Sequence, residues 1–474
     1  MLIERFESPG LAHLSYLIAD GGLAAAIDPR RDCDAYVRVA EQAGQRITFI
    51  LETHRNEDYV VGSRELAART GAEIWHAEGV LGYEPLDYQY GRAVEDGQTW
   101  RIGRLLLEAL HTPGHTPGSM SYLLREPGGA PWMVFTGDAL FAGDVGRVDL
   151  LGMDRAEELA GRLYDSIFQR LLPLGDHVLV WPAHGSGSVC GSAIDERPWT
   201  TLGLERRLNP HLQVSSRDEF VAGVARELER PPYFRRMERL NLEGAPPLGC
   251  LPSPPPLRPD EVASLMDESL VVDTRAELSF GAAHVPNSLS IVQGSLASYA
   301  GWFLPYGRPI LLVLEDDDPE PAVRTLVRLG YDDGRRELAG YGGGLAGYLS
   351  GGMHAWHTAG RESRSVGMVT VEELCRRTFR PPGGRPPWIL DVRNAGELES
   401  AGRIEGAHHV HLTQLPDELD QVPKDRPVYI FCGSGRRSMT AASLLKRAGW
   451  QDLIVVLGGM TGWNAVKCEL GLAE

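Results

Sequence analysis

Five side chains that commonly bind metal ions occur in the first half of this sequence, each at the start of a turn. The segment THRNEDYVVG carries His54 and Asp58, HTPGHTPGS carries His115, FTGDALF carries Asp138 and WPAHGSG carries His184. Each segment follows an apolar run that reads as a strand and enters a loop containing glycine or proline. Because ligand-bearing loops gather at strand ends in α/β folds, this pattern predicts a metal site.

A cysteine near the C-terminal end predicts a different chemistry. In YIFCGSGRRSMTAASLLKRAG an apolar strand leads through Cys432 into a helix that is expected to begin near Ser438. A short loop that closes onto a helix N-terminus turns backbone N–H groups inward, which favours a thiolate or a persulfide anion. Arg436 and Arg437 add positive charge. The predicted persulfide loop comprises Cys432, Gly433, Ser434, Gly435, Arg436, Arg437 and Ser438.

The composition limits the possible partners and surroundings. A formal net charge of −17 argues against nucleic acid or an anionic membrane as a partner, and no apolar run is long enough to span a bilayer. The start, MLIERFESPG, lacks the pattern of a secretory signal, and the six cysteines have no paired spacing. We therefore expect a cytoplasmic protein in a reducing compartment.

The elements that position these residues divide into three predicted α/β domains. Residues 1–245 alternate strands and helices, and residues 246–260 are a proline-rich linker. Downstream, VVDTRAELSFGAAHVPNS resembles ILDVRNAGELESAGRIEGAHHV, and LSGGMHAWHTAG resembles VLGGMTGWNAVK. This repeat predicts two small domains with mostly parallel sheets, at residues 261–362 and 363–474.

The order of the four segments that carry these five side chains resembles that of the metallo-β-lactamase superfamily, which implies an αββα sandwich. Hydrolases of that superfamily use a His-x-His-x-Asp-His loop to hold two zinc ions, whereas this sequence has Asn56 and Tyr59 at the last two imidazole positions. The ligands that remain are His54, His115 and Asp138. Two histidines and one carboxylate leave open positions on a non-haem Fe(II) ion.

Within the superfamily, this set is similar to that of the persulfide dioxygenases. The resemblance implies one Fe(II) per N-terminal domain, with zinc as a possible substitute, and a low-molecular-weight persulfide and O2 as substrates. Asp58, Tyr59 and His184 are expected to orient ligands or substrate. Arg147 is expected either to pair with Asp149 or to hold a substrate carboxylate.

Cys190 follows His184 by six residues and leaves two alternatives open. The first is a small residue that fills space among glycines, and the second is a relay thiol for persulfide sulfur.

The C-terminal repeat closely resembles a single-domain rhodanese. That resemblance makes Cys432 the sulfur-carrying nucleophile and Arg437 a residue that helps bind anionic donors, and it makes Asp391 and Arg393 structural. The middle repeat has LLVLEDDDPEPAV where the loop should be, with no cysteine and several carboxylates that would repel an anionic donor. We therefore expect a catalytically silent middle domain that acts as a spacer, docking surface or dimer contact.

Together these features predict an enzyme that oxidises a thiol persulfide to sulfite and transfers sulfur through a cysteine persulfide, forming or using thiosulfate. One alternative is a zinc-dependent thioester hydrolase of the glyoxalase II kind, and another is a non-enzymatic sulfur carrier. The sequence does not identify the thiol carrier, the direction of sulfur flow or the metal bound in the cell. A homodimer is a further expectation, because one repeat has no catalytic cysteine and could serve as a contact between two chains.

Overall fold

The computed structural model describes residues 1–76, 88–191, 193–197, 199–332, 344–380 and 386–466. The chain forms two compact units. The first contains Met1–Leu251 and Arg324–Gly330, and the second contains Pro252–Val323 and Tyr331–Glu474. Helix α10, Glu320–Arg328, has residues in both units. The boundary at residue 252 falls within the predicted linker.

The first unit contains two six-stranded sheets. The first sheet has the order β1-β2-β3-β4-β5-β6, and its strands are β1 Leu2–Ser8, β2 His13–Asp20, β3 Leu23–Ile27, β4 Arg46–Glu52, β5 Glu73–His76 and β6 Arg92–Ala93. The second has the order β12-β11-β10-β9-β8-β7, and its strands are β7 Thr99–Ile102, β8 Leu105–His111, β9 Met120–Arg125, β10 Pro131–Gly137, β11 Leu179–Pro182 and β12 Thr200–Thr201. The helices of this unit are α1 Asp34–Gln42, α2 Ser63–Thr70, α3 Met153–Asp165, α4 Leu202–Leu208, α5 Arg217–Val224 and α6 Phe234–Glu243.

The two sheets face each other across one hydrophobic core. Tyr16 and Leu51 of the first sheet belong to the same buried cluster as Trp100 and Phe135 of the second. A second cluster joins the outer face of the first sheet to α1 and α2, and a third joins the outer face of the second sheet to α3 and α5. These layers are the predicted αββα sandwich.

The ends of the central strands carry the predicted metal ligands. His54 follows β4 by two residues, Asp138 directly follows β10, and His184 follows β11 by two residues. His115 lies in the turn between β8 and β9. The loops after the strands therefore bring these side chains together.

The second unit contains two five-stranded sheets, and all of their strand pairs are parallel. The middle sheet, of order β13-β17-β16-β14-β15, consists of β13 Pro256–Leu257, β14 Leu270–Asp273, β15 Leu289–Ser290, β16 Ile310–Val313 and β17 Leu345–Leu349. The C-terminal sheet, of order β18-β22-β21-β19-β20, consists of β18 Gly367–Thr370, β19 Trp388–Asp391, β20 His408–His409, β21 Val428–Phe431 and β22 Leu453–Leu457. The accompanying helices are α7 Pro259–Leu265, α8 Glu277–Ala282, α9 Leu296–Phe303, α11 Gly352–Thr358, α12 Val371–Phe379, α13 Ala395–Ser400, α14 Arg436–Arg447 and α15 Gly459–Ala465.

The same buried ion pair occurs beside both of these sheets. Asp391 at the end of β19 accepts hydrogen bonds from Nε and Nη2 of Arg393, which is fully buried. Asp273 at the end of β14 accepts the corresponding bonds from Arg275. A bidentate pair of this kind fixes the turn after the strand. The repeated sequence pattern therefore corresponds to a repeated local structure.

Several details differ from the expectations. Helix α14 begins at Arg436, two residues before the predicted start, and β13 and the first residues of α7 lie within the predicted linker. Cys375 is disulfide-bonded, so the expectation of unpaired cysteines is wrong at this position, whereas Cys33, Cys190, Cys250 and Cys432 are free. Cys468 lies outside the described residues. None of the described helices has the length and apolar character needed to cross a membrane.

Candidate metal and persulfide sites

Three of the predicted ligands converge in the first unit. His54, His115 and Asp138 each offer one atom, and these atoms lie within 4.8 Å of one another. Asp138 Oδ2 lies 3.5 Å from His115 Nε2 and 3.8 Å from His54 Nε2. All three side chains are buried, and none of the three atoms has a hydrogen-bond partner. Buried polar atoms are normally paired, so this set fits a metal ion that would supply the missing partner.

Neighbouring groups hold His54 with Nε2 facing the other ligands. The Thr53 hydroxyl lies 2.8 Å from His54 Nδ1, and it also donates to Asp28 at 2.7 Å. Burial is the main reason that the pKa of His54 falls to about 4, although Asp138 opposes the shift. His54 is therefore a neutral imidazole at neutral pH, which is the form that binds metals.

The backbone and a salt bridge fix His115. Its Nδ1 lies 2.8 Å from the Arg147 carbonyl oxygen, so Nε2 faces the other ligands. The Arg147 guanidinium forms a bidentate pair with Asp149, with both contacts at 2.7 Å, and also donates to the Leu228 carbonyl. Of the two alternatives for Arg147, the structure therefore places it in the pair with Asp149.

His184 is held between two carboxylates. Its Nδ1 lies 2.8 Å from Asp138 Oδ1, and its Nε2 lies 2.9 Å from Asp58 Oδ2. Burial opposes protonation, but Asp138 and Asp58 raise the pKa of His184 well above its ordinary value. Both ring nitrogens are therefore engaged, and a second ion could bind His184 only if a hydrogen bond were broken.

Asn56 and Tyr59 lie in the same loop and are buried. The Tyr59 ring packs against the His13 ring at 3.9 Å, and the Tyr59 hydroxyl has no hydrogen-bond partner. Asn56 donates to the His54 carbonyl oxygen at 3.3 Å, while its own side-chain oxygen is unpaired. Neither residue supplies an imidazole for a second ion.

The structure adds residues that the sequence did not single out. Glu57 is completely buried, and its Oε1 lies 3.1 Å from His115 Nε2, in a geometry that does not make a hydrogen bond. Thr53, Asp28 and His13 also surround the site. A carboxylate between Asn56 and Asp58 was visible in the sequence, but nothing there indicated which way it points.

Cys190 lies beside Glu57, with its sulfur 3.6 Å from Glu57 Oε1. Burial and then the nearby carboxylates of Asp58 and Glu57 raise the pKa of the Cys190 thiol well above its ordinary value. Because the thiolate is the nucleophile, a relay role would require this buried thiol to lose its proton beside two carboxylates, and that role stays a prediction.

The Cys432 loop in the second unit connects β21 to α14. Cys432 is fully buried, and the Gly435 N–H donates to its sulfur at 3.1 Å. The segment after β22 contacts the backbone of this loop, where the Met460 N–H donates a hydrogen bond to the Cys432 carbonyl at 2.8 Å. Gly459 has φ +49°, and a Cβ there would lie 2.2 Å from the Cys432 carbonyl oxygen. The glycine in the repeated GGM segment is therefore required for this close approach.

The two arginines of the loop have different surroundings. Arg437 forms a bidentate pair with Glu397, with contacts of 2.5 and 2.6 Å, while Arg436 is exposed. Arg437 NH groups thus face a carboxylate and not an open anion site. The Ser438 hydroxyl is buried at the start of the helix and has no hydrogen-bond partner.

The middle sheet carries no corresponding cysteine loop. The segment after β16 is acidic, and Asp317 accepts a hydrogen bond from the Gly351 N–H at 2.9 Å. A Cβ at Gly352 would approach Leu314 O no closer than 3.7 Å, so the close contact seen at Gly459 is absent here. Tyr299 of α9 packs against the hydrophobic cluster that contains Cys432. The middle segment therefore contributes to the packing around the cysteine.

Comparison with known proteins gives two family matches. The sequence model of the metallo-beta-lactamase superfamily matches residues 8–184, and that of the rhodanese-like domain matches residues 380–466. A hydroxyacylglutathione hydrolase of Haemophilus influenzae is 30% identical over 209 residues, which are 41% of this chain and 89% of that protein. The mitochondrial persulfide dioxygenase of Homo sapiens is 30% identical over 227 residues, which are 47% of this chain and 79% of that protein.

A solved structure covers more of the chain. The crystal structure of a metallo-beta-lactamase from Staphylococcus aureus subsp. aureus COL aligns with a TM-score of 0.63 at 29% sequence identity. The alignment covers 74% of this chain and 98% of that chain. It therefore extends well beyond the first unit.

Proposed function

Because this chain belongs to the metallo-beta-lactamase superfamily and carries a C-terminal rhodanese-like domain, we propose that it is a persulfide dioxygenase with a sulfurtransferase activity. Its relatives indicate an enzyme with a divalent metal ion and a function related to small-molecule persulfides. The finer proposal is that a single Fe(II) ion is bound by His54, His115 and Asp138.

One observation carries the one-metal proposal. Three buried ligand atoms, on His54, His115 and Asp138, lack hydrogen-bond partners, whereas both ring nitrogens of His184 are engaged by carboxylates. A ferrous ion bound by two imidazoles and a carboxylate would supply redox chemistry and open positions for sulfur and oxygen. Zinc would fit the same ligands but has no redox chemistry.

The side chains around the site then have separate tasks. Thr53 and the Arg147 carbonyl hold His54 and His115 with their Nε2 atoms facing inward. Burial excludes bulk water, which would otherwise compete with the persulfide and weaken electrostatic interactions. The overall reaction is RSSH + O2 + H2O → RSH + SO3²⁻ + 2 H⁺.

The cysteine of the second unit would take its sulfur from a second persulfide molecule. The Cys432 thiolate attacks the outer sulfur of RSSH, the S–S bond of RSSH breaks, and the thiolate RS⁻ leaves and takes up a proton to give RSH. With Cys432 as a persulfide, sulfite attacks the outer sulfur, the S–S bond breaks, and thiosulfate leaves with the cysteine as a thiolate. The Gly435 N–H, which already donates to the sulfur, is positioned to stabilise that thiolate. The products of the two sites are thus chemically compatible, because one makes sulfite and the other consumes it.

The test is oxygen uptake by anaerobically purified, iron-loaded protein on addition of glutathione, coenzyme A or bacillithiol persulfide. We expect uptake with at least one of these substrates and sulfite or thiosulfate as a product. His115→Ala should abolish the uptake, whereas Cys432→Ser should retain it and lose only sulfur transfer. Absence of oxygen uptake with every persulfide by iron-loaded protein would refute the proposal.

A second candidate is a thioester hydrolase. The similarity to the hydroxyacylglutathione hydrolase of Haemophilus influenzae favours it. A hydrolytic mechanism that uses two metal ions would require a second ion in this chain. Asn56 and Tyr59 supply no imidazole for such an ion. Hydrolysis of S-lactoylglutathione by zinc-loaded protein, without oxygen uptake by the iron form, would favour this candidate.

A further inference from the structure

The metal loop, residues 53–62, is held by side-chain hydrogen bonds from a helix that is distant in the sequence. Asn241 of α6 accepts a hydrogen bond from the Val61 N–H at 2.9 Å. Its Nδ2 donates to the Asn56 carbonyl at 2.7 Å and to the Tyr59 carbonyl at 2.8 Å. Asn241 is only 1% exposed, so bulk water does not compete for these three bonds. One amide group therefore connects three points of the loop.

One of these three points lies next to a proposed metal ligand. The Asn56 side chain donates to the His54 carbonyl at 3.3 Å. The bond from Asn241 to the Asn56 carbonyl therefore fixes the residue that contacts the His54 backbone. A metal site needs its ligands within about 0.5 Å of their working positions. A shift of the loop backbone would thus move the His54 imidazole away from His115 and Asp138.

A second contact with the metal loop comes from residues Arg324–Gly330. These residues belong to the first unit, although they follow the linker in the sequence. The Val60 N–H donates to the Arg328 carbonyl at 2.7 Å. Arg328 is the last residue of α10, and the last carbonyls of a helix have no partner within the helix. This bond therefore pairs a helix end with the N–H of a buried loop residue.

An ion pair anchors Arg328 in the first unit. Its Nε and Nη2 donate to the two carboxylate oxygens of Asp32 at 2.8 and 2.7 Å, and Asp32 is buried. Such bidentate pairs fix the orientation of both groups. Gly330 has φ +73°, and a Cβ there would lie 3.1 Å from Leu240 Cδ1 and 3.4 Å from Val60 Cγ2. The segment therefore packs directly against the metal loop and α6.

We propose that Asn241 and Arg328 are positioning residues that together hold the metal loop in the conformation in which His54 can bind the ion. This inference rests on the metal ion of the proposed function. It goes beyond that function because it gives residues Arg324–Gly330, which come from the middle repeat, a task in the first unit. That task requires no cysteine loop.

The first test is hydrogen exchange in the full-length apoprotein, measured at single amides by mass spectrometry. It needs no metal ion, so it reports on the loop contacts separately from the proposed function. Asn241→Ala removes all three side-chain bonds, and Arg328→Lys keeps the charge but loses the bidentate contact. Asn209→Ala is the matched control, because Asn209 is also buried and its Nδ2 also donates to two acceptors, the Asp144 carbonyl and Glu205.

We expect Asn241→Ala to speed the exchange of the Val61 amide by about 10- to 100-fold, because this buried N–H loses its acceptor. Arg328→Lys should speed the exchange of the Val60 amide, and Asn209→Ala should change neither amide. Circular dichroism verifies that each variant is folded. If Asn241→Ala does not fold, Arg328→Lys decides the result. Unchanged exchange of both amides in the folded variants would overturn the proposal.

The second test uses Co(II) as the metal probe, because its visible absorption reports the ligand geometry without turnover. We expect Asn241→Ala to weaken Co(II) binding by about 10- to 100-fold, the loss typical of residues that orient ligands, and to shift the absorption bands. Asn209→Ala should match the unmodified protein. Unchanged affinity and bands in Asn241→Ala would overturn the positioning role and leave the proposed function intact. Failure of the unmodified protein to bind Co(II) would overturn both.

Discussion

The full-length protein should bind one metal ion tightly per chain, and replacing two residues of the first loop should create a second tight site. The perturbation is the double substitution Asn56→His and Tyr59→His, which returns imidazoles to the two positions where they are missing. In the unmodified protein, a second ion would have to break the hydrogen bond between His184 and Asp58.

The hydrogen bonds of His184 set the size of the effect. A metal ion binds a histidine through one ring nitrogen, so a second ion would have to break one of these bonds, which measure 2.8 Å to Asp138 and 2.9 Å to Asp58. A hydrogen bond to a charged group contributes about 1.5–3 kcal/mol, which is the expected cost. At about 1.4 kcal/mol per factor of ten, a second ion should bind about 10- to 100-fold more weakly than the first.

The assay is an anaerobic titration of apoprotein with Fe(II) and, separately, with Zn(II), followed by calorimetry and by metal analysis after gel filtration. We expect the unmodified protein to retain about one equivalent of metal. The double variant should bind a second equivalent more tightly than the unmodified protein does. Retention of two equivalents of comparable affinity by the unmodified protein would refute the reasoning, because the contacts of His184 would then not exclude a second ion.

Three further perturbations test other parts of the molecule. Gly459→Ala should reduce sulfur transfer about 100-fold with metal content unchanged, because its Cβ would displace the persulfide loop by a fraction of an ångström or more; thiosulfate–cyanide transfer measures this. Arg393→Met should lower the free energy of unfolding of the second unit by about 3–5 kcal/mol in urea titrations, because Asp391 would remain buried without its partner. Burial alone would raise the pKa of Asp149, but the hydrogen bonds from Arg147 hold it below its ordinary value. The pair therefore stabilises the fold above about pH 4, and its contribution should disappear as the pH falls further. We expect the urea concentration at the midpoint of unfolding to fall with pH below about pH 4 in the unmodified protein, and to fall less in Asp149→Asn.

Much of the fold could be predicted because strands and repeats leave local signals. The apolar runs before His54, Asp138 and His184 are the strands β4, β10 and β11. The αββα layers came from a resemblance, since apolar periodicity alone does not determine which sheet faces which. The sequence predicts the start of α14 two residues late, because Arg436 and Arg437 resemble loop residues but form the first turn of the helix.

The site is harder to predict where the orientation of a side chain matters more than its residue type. Histidines and an aspartate at strand ends signal ligands, and the structure brings His54, His115 and Asp138 together. Glu57 gave no such signal, because its neighbour Asp58 fits a motif and a surface position for a glutamate is the common case. Only the loop conformation turns its carboxylate inward. The pairing of Arg437 with Glu397 also joins residues that are distant in the sequence.

The two halves of the second unit separate the requirements of folding from those of chemistry. Both keep the Asp-x-Arg pair at the end of a central strand, Asp273 with Arg275 and Asp391 with Arg393. Removing one member would leave a buried charge unpaired and destabilise the sheet. The cysteine loop has no such constraint, since an acidic loop with room at Gly352 completes the middle sheet equally well. A repeat without a catalytic role is therefore expected to lack the cysteine loop and to retain the buried ion pair. The middle sheet has only the ion pair, whereas the C-terminal sheet has both features.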